Sequence, residues 1–364
     1  MSILLSLSMT AWLAASPPVE GLWEGPVTCP PQASAPGQTP PPFPLTVFIT
    51  QGAEGLEGFM GSPQQGLSAQ LKTLSVEENS LRLTASVPHH YQAELAGPLE
   101  GSTWKATLTQ GPVSCTAELQ REPDVQLKKL PIPPTFQTRP AWSWLSIGEM
   151  LFRHYGVLGA GDPPGFPTQC TIVRTLFAGN PRFECNSNCN FCKSMAGGST
   201  YEVLGMLTDF PRKRTTPSRQ PPRLFAAAAP VLDSGEVRRE LEQGNPVLVG
   251  LNPGAPSAVT EPGLNSFFPP LHLALITGAL KTQATTWYLV NDPYPFPQLS
   301  ANPYVQNQGI PLMGLRSGAP TPLAYWLRED TLKSKLRWKE SFLVRVEPLA
   351  APTPPPAPRG EGAH

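Results

Sequence analysis

Between residues 20 and 121 apolar and polar positions alternate in short runs: PLTVFIT at 44–50, GLEGFMG at 55–61, AQLKTLSV at 69–76 and LRLTASV at 81–87. YQAEL at 91–95, WKATLTQ at 104–110 and SCTAELQ at 114–120 continue the series. A period of two turns one face of each run toward a core. Gly, Pro, Asn and Ser clusters separate the runs, so the stretch predicts a small antiparallel all-β domain, a meander or barrel. The Pro-rich loop at 30–43 has no place in a central strand. From Gln137 to residue 348 the pattern is mixed. Trp144, Ile147, Leu151 and His154 recur at helical spacing after Trp142, and further helices fit 169–177 and 199–210. Asp233 and Glu236 have capping-box spacing, Val237 and Leu241 continue that helix, and Gly244 ends it. Apolar runs at 246–251, 271–279, 286–292 and 341–348 read as strands. Helices first and antiparallel-looking strands afterwards predict an α+β domain behind the all-β one.

Composition sharpens this division. The chain has 364 residues, enough for two cored domains. Its 47 prolines mark residues 122–136 as an extended linker and residues 349–364 as a disordered tail with nothing to bury. Lys plus Arg and Asp plus Glu are both 27, so there is no basic footprint and no nucleic-acid partner is expected. No apolar run reaches the ~18 residues of a membrane-spanning helix. Residues 3–15 are apolar and lead into small residues before Pro17 and Pro18, which predicts a signal peptide over 1–16. Its n-region is bare, because the first basic side chain is Lys72. Export to a periplasmic or extracellular compartment would oxidise the six cysteines. The first and last strands of a closed barrel meet, so Cys29 and Cys115 are expected to bridge. Cys170, Cys185, Cys189 and Cys192 allow three pairings.

The same cysteines admit metal chemistry on paper. Cys185, Cys189 and Cys192 have the spacing with which radical enzymes hold a 4Fe–4S cluster, and Cys170 would complete a four-thiolate zinc site. No βα repeat surrounds them and an oxidising compartment removes thiolates, so disulfides are expected and no cofactor. His89-His90 has no third ligand close in sequence and reads as an exposed hairpin.

The strongest signal is an order of residues across the second domain. Gln137 precedes Ser143 by six positions, and Ser143 stands between Trp142 and Trp144 where a helix opens. His272 begins a strand, and Asn291-Asp292-Pro293 ends the next. This order resembles the papain-like cysteine peptidases, specifically the exported bacterial group related to bacteriocin-leader peptidases. The likeness runs through QTRPAWSWLSIGEMLFRHYG at 137–156, Gln169-Cys170-Thr171-Ile172-Val173, LEQGNPVLV at 241–249, His272 and VNDP at 290–293. The resemblance implies a papain-like fold, with position 143 as nucleophile and His272 as base. Asp292 or its neighbour Asn291 would orient the histidine, and Gln137 would donate to the oxyanion. A thiol suits such a site because a helix N-terminus and an imidazole together lower its pKa.

Position 143 holds Ser instead, and Leu271 stands where the family commonly has Gly before the histidine. Both departures point toward a pseudopeptidase that binds a peptide or protein segment without efficient turnover. An active Ser143–His272–Asp292 triad is the first alternative, and a structural protein without a working groove is the second. The blander roles are clear too. Ser143 would serve as a helix cap, Ser146 and Glu149 have capping-box spacing of their own, and the tryptophans would pack a core. The all-β domain resembles small lipocalin-like barrels through Gly21-x-Trp23-x-Gly25 and the Leu99–Trp104 stretch. No feature of the sequence sets an oligomeric state.

Overall fold

Eight strands close into an antiparallel barrel in the computed structural model, and a second antiparallel sheet with helices follows. The structure describes residues 19–31, 39–52, 55–62, 67–77, 79–86, 92–123, 125–139, 142–159, 165–179, 189, 199–214, 221–251, 272–283, 285–296, 302–312 and 323–347. The expected signal segment and tail, His89-His90, Cys185, Cys192 and Leu271 lie outside these residues. Among those described, no helix is long and apolar enough to cross a membrane. The chain forms two compact units, Met1–Lys129 with Gly278–Val290 and Pro295–Leu336, and Leu130–Thr277 with Asn291–Tyr294 and Arg337–His364.

The barrel belongs to the first unit. Its strands are β1 (Gly21–Thr28), β2 (Phe43–Gly52), β3 (Gly55–Ser62), β4 (Leu67–Glu77), β5 (Ser80–Ser86), β6 (Gln92–Glu100), β7 (Thr103–Gln110) and β8 (Val113–Arg121). Each pairs with its neighbour in sequence, and β1 with β8 closes the ring. The alternation seen in the sequence decides the two faces. Trp23, Leu45, Val47, Leu83, Leu95, Trp104 and Leu119 point inward and are completely buried. Trp23 and Trp104, carriers of the two barrel motifs, meet edge to face at 6.0 Å. The interior is therefore filled by side chains, which is what eight strands leave room for. Outward-facing Leu22, Phe48 and Phe59 join a second cluster with Leu289, Ile310 and Trp326. These come from β13 (Thr286–Asn291), β14 (Ile310–Pro311) and β15 (Ala324–Arg328), and Trp326 stacks on Phe59 at 5.7 Å. Cys29 and Cys115 are bonded across the closing seam, as strand order predicts.

Two Gly-Pro pairs shape the barrel. The β1–β8 register skips Gly25-Pro26, and the β6–β7 register skips Gly97-Pro98. Proline has no N–H for the ladder, and the glycine lets the neighbouring backbone close in. A Cβ at Gly97 would lie 2.0 Å from the Lys105 carbonyl oxygen, and one at Gly25 equally close to that of Glu118. Gly97→Ala is accordingly expected to cost about 2 kcal/mol or more, since backbone on the partner strand must move. Chemical unfolding checks this, and an unchanged midpoint would refute it.

The second unit holds α1 (Ser143–His154), α2 (Gln169–Leu176), α3 (Thr200–Lys213) and α4 (Ser234–Glu242). Its strands run in the order β10 (Leu224–Ala229), β16 (Trp338–Val346), β11 (Val247–Leu251) and β12 (His272–Lys281), all antiparallel. The last residues of β12 belong to the first unit, where they pair β9 (Gln126–Lys129) out of the stretch expected to be linker. The expected stripe on α1 proves too narrow a description: every residue from Ser143 to Phe152 is buried. Such a helix is surrounded rather than laid on a surface. Gly148 lets Met206 of α3 against it, and Phe152 stacks on Phe210 at 4.7 Å. Both α3 and α4 open with complete capping boxes, Ser199 with Glu202 and Asp233 with Glu236. Ser146 and Glu149 form no such box. The helix starts one turn earlier, and the Ser146 hydroxyl donates to the Thr135 carbonyl at 3.0 Å.

Candidate functional site

All four residues singled out in the sequence lie in the second unit and are nearly buried, with exposures of 7% for Gln137, 6% for Ser143 and His272 and 0% for Asp292. His272 opens β12 and Asp292 follows the last residue of β13, so two strand ends supply the pair. His272 Nε2 lies 2.6 Å from Asp292 Oδ2. The other carboxylate oxygen accepts the Tyr294 backbone N–H at 2.7 Å, and the Tyr294 ring stands edge-on to the imidazole at 6.4 Å. Both oxygens of a fully buried carboxylate are thus used, as burial of a charge requires. With its proton on Nε2 facing Asp292, the imidazole has Nδ1 as its basic nitrogen. The alternatives left by the sequence separate here. Asp292 reaches the histidine, while Asn291 turns away and donates from Nδ2 to the Ile132 carbonyl at 2.9 Å.

Ser143 is the first helical residue of α1, where no side chain caps the end. The open N–H groups and positive dipole end of a helix surround that position. Among the described residues no hydrogen bond joins Ser143 to His272. Gln137 is tied to the aspartate turn by its backbone N–H, which donates to the Pro293 carbonyl at 2.8 Å. Its own Oε1 is buried without a partner. A buried amide left unsatisfied by the fold costs about 1–3 kcal/mol, and such groups call for an explanation in function or strain.

Gln169 holds this arrangement together, a role to which the sequence analysis assigned no chemistry. Its Oε1 accepts from the Thr138 backbone N–H at 2.9 Å and the Thr138 hydroxyl at 3.0 Å. Its Nε2 donates to the Phe136 carbonyl at 2.9 Å and lies 3.2 Å from Glu149 Oε2 and 3.3 Å from Ser146 Oγ. One buried amide therefore grips the backbone on both sides of Gln137 and ties it to the helix that begins at Ser143. The only sequence signal was the Gln169-Cys170 pair within the family-like stretch. Gln169→Leu keeps the bulk but orphans the Thr138 N–H and the Phe136 carbonyl, and a loss of about 2–4 kcal/mol is expected in urea unfolding. A loss below ~0.5 kcal/mol would show that the clamp is dispensable.

No family model and no curated protein matches this chain. The site therefore stands on its own geometry.

Cys170, the residue after the clamp, is bonded to Cys189. That disulfide removes the fourth thiolate a zinc site would need. Farther from the four residues, the Tyr155 hydroxyl donates to the Val344 carbonyl at 2.6 Å, and Glu240 pairs with Arg345. Burial, and then the nearby Glu240 charge, push the Tyr155 hydroxyl far above its ordinary pKa, so it remains a donor at any physiological pH. This latch joins the C-terminal end of α1 to β16.

Proposed function

We propose that the chain is an exported homologue of the papain-like cysteine peptidases. Its second unit would bind a peptide or protein segment, with catalysis impaired by serine at the nucleophile position. The observation that carries this is the buried His272–Asp292 pair at 2.6 Å, combined with Ser143 as the first residue of a buried helix. Base, orienting carboxylate and helix N-terminus are parts a thiolate site needs, and serine stands where the thiol would be. The unpartnered amide oxygen of Gln137 adds a polar group that the fold itself does not use. A hydroxyl carries almost no anion near neutral pH, so the thiolate–imidazolium pair of the family does not form. Two disulfides support export, since they persist where thiols are oxidised.

The intact His272–Asp292 pair also favours a second reading, in which the histidine takes the Ser143 proton during attack as in serine hydrolases. Turnover of a mixed peptide library by the native chain, beside its Ser143→Cys and His272→Ala forms, separates the two. Cleavage by Ser143→Cys alone supports a binder that lost its thiol. Cleavage by the native chain that disappears in His272→Ala establishes the serine triad instead. Silence from all three removes both.

A further inference from the structure

The side-chain-filled barrel directs attention to its outer wall. A cavity of about 400 Å³ lies there in the first unit, lined among others by Glu24, Phe43, Thr46, Trp287, Gln308 and Arg328. Its size falls in the range of small-molecule sites. The Arg328 guanidinium lies over the Trp287 ring at 5.1 Å, a cation–π placement that holds the group while leaving its edge N–H groups available. Glu24 faces it, but Oε1 and the nearest guanidinium nitrogen are 3.8 Å apart, beyond a hydrogen bond. That oxygen instead accepts from the Thr46 hydroxyl at 3.1 Å. The two charges therefore form an ion pair with no direct hydrogen bond between them.

Two further features, at Trp287 and Glu24, mark this wall as more than packing. Trp287 is 4% exposed and its indole N–H is buried without a partner. Gln308 has φ of 64° because it ends the short helix at Pro303–Gln306, its N–H and that of Gly309 donating to the Val305 and Tyr304 carbonyls. Desolvation by burial raises the Glu24 carboxyl above its ordinary pKa, against the pull of Arg328. A ligand ammonium would relieve that carboxylate directly.

We propose that this cavity binds a small zwitterion with an apolar arm, an apolar amino acid or dipeptide. Its carboxylate would lie on Arg328, its ammonium on Glu24, and its side chain against Pro44 and Ile310, which also line the cavity. The charge balance selects this class. A simple anion would sit beside Glu24, and a simple cation beside Arg328, whereas a zwitterion satisfies both and leaves the site neutral. The proposal does not depend on the peptidase-like site, which lies among other residues.

The test is calorimetric titration of the full chain with L-leucyl-L-phenylalanine, its N-acetyl form and its C-terminal amide. Binding of the free dipeptide is expected, weakened about tenfold or more by either cap, since each removes a charge-assisted hydrogen bond. In Arg328→Leu the acid and the amide should bind equally, and in Glu24→Gln the free and acetylated amines should. These pairings tie each ligand end to one side chain, and thermal midpoints confirm that the variants fold. Were a variant to misfold, the two caps on the native chain still decide. No binding of any form at ~10 mM, binding indifferent to the caps, or binding unchanged in both folded variants overturns the proposal.

Discussion

Ser143→Cys is expected to raise peptide cleavage on the order of 10²-fold or more over the native chain. The expectation follows from what surrounds the position. A thiol there would stand at the N-terminus of a twelve-residue helix, whose dipole stabilises an anion. His272, already oriented by Asp292, would supply the imidazolium partner. Together these effects bring cysteine pKa values down to about 3.5–7.5 from an unperturbed ~8.5. Serine, whose hydroxyl stays protonated, gains little from the same surroundings. The sharper readout is iodoacetamide alkylation of the variant against pH, with the native chain as background. Thiolate formation should be half complete near or below pH 7.5, and His272→Ala should move that midpoint back toward ~8.5. A midpoint near 8.5 in both forms would mean that His272 does not reach position 143, and the peptidase-like reading would be lost.

What the sequence reveals of this molecule depends on how local each cause is. The barrel strands could be read because burial inside a closed sheet imposes a period of two on every strand, and Trp23, Val47, Leu83 and Leu95 obey it. The same logic placed Cys29 beside Cys115. Strand β10 was missed because LFAAAA carries no alternation. Its six residues are held by pairing with β16, more than a hundred positions away. Strand β9 was hidden in a segment whose prolines suggested linker, since its pairing with β12 is equally distant.

On α1 the apolar positions suggested one buried side. Polar Ser146 and Glu149 are buried as well because Gln169 and Thr135 satisfy them. That compensation comes from outside the helix and leaves no periodic trace. The candidate site divides in the same way. The order of Gln137, Ser143, His272 and Asp292 was legible, but the choice between Asn291 and Asp292 is made by which way each side chain leaves the strand end. The clamp at Gln169 needs two backbone groups that lie 31 and 33 positions from it in sequence.

Removal of the Cys29–Cys115 bond is expected to cost about 4–5 kcal/mol, the largest single stability loss in the first unit. The bond joins residues 86 positions apart, so reduction frees a long loop in the unfolded chain. The loss is amplified by where the bond sits. It lies at the end of the β1–β8 seam, which alone closes the ring and whose register already skips Gly25-Pro26. Without the crosslink, the seam must close a barrel across its whole length with an incomplete ladder, and two edges would be exposed in its place. Cys115 is also 5% exposed and packs within the barrel core, so serine there would add the cost of a buried hydroxyl. The Cys29→Ala, Cys115→Ala double variant avoids that confusion. Its thermal midpoint should fall by about 10–20 °C for a unit of this size, and dithiothreitol should move the native chain's first-unit transition down but leave the double variant's unmoved. A fall of less than ~3 °C would show that strand pairing alone closes the barrel, with the disulfide added to a ring already stable without it.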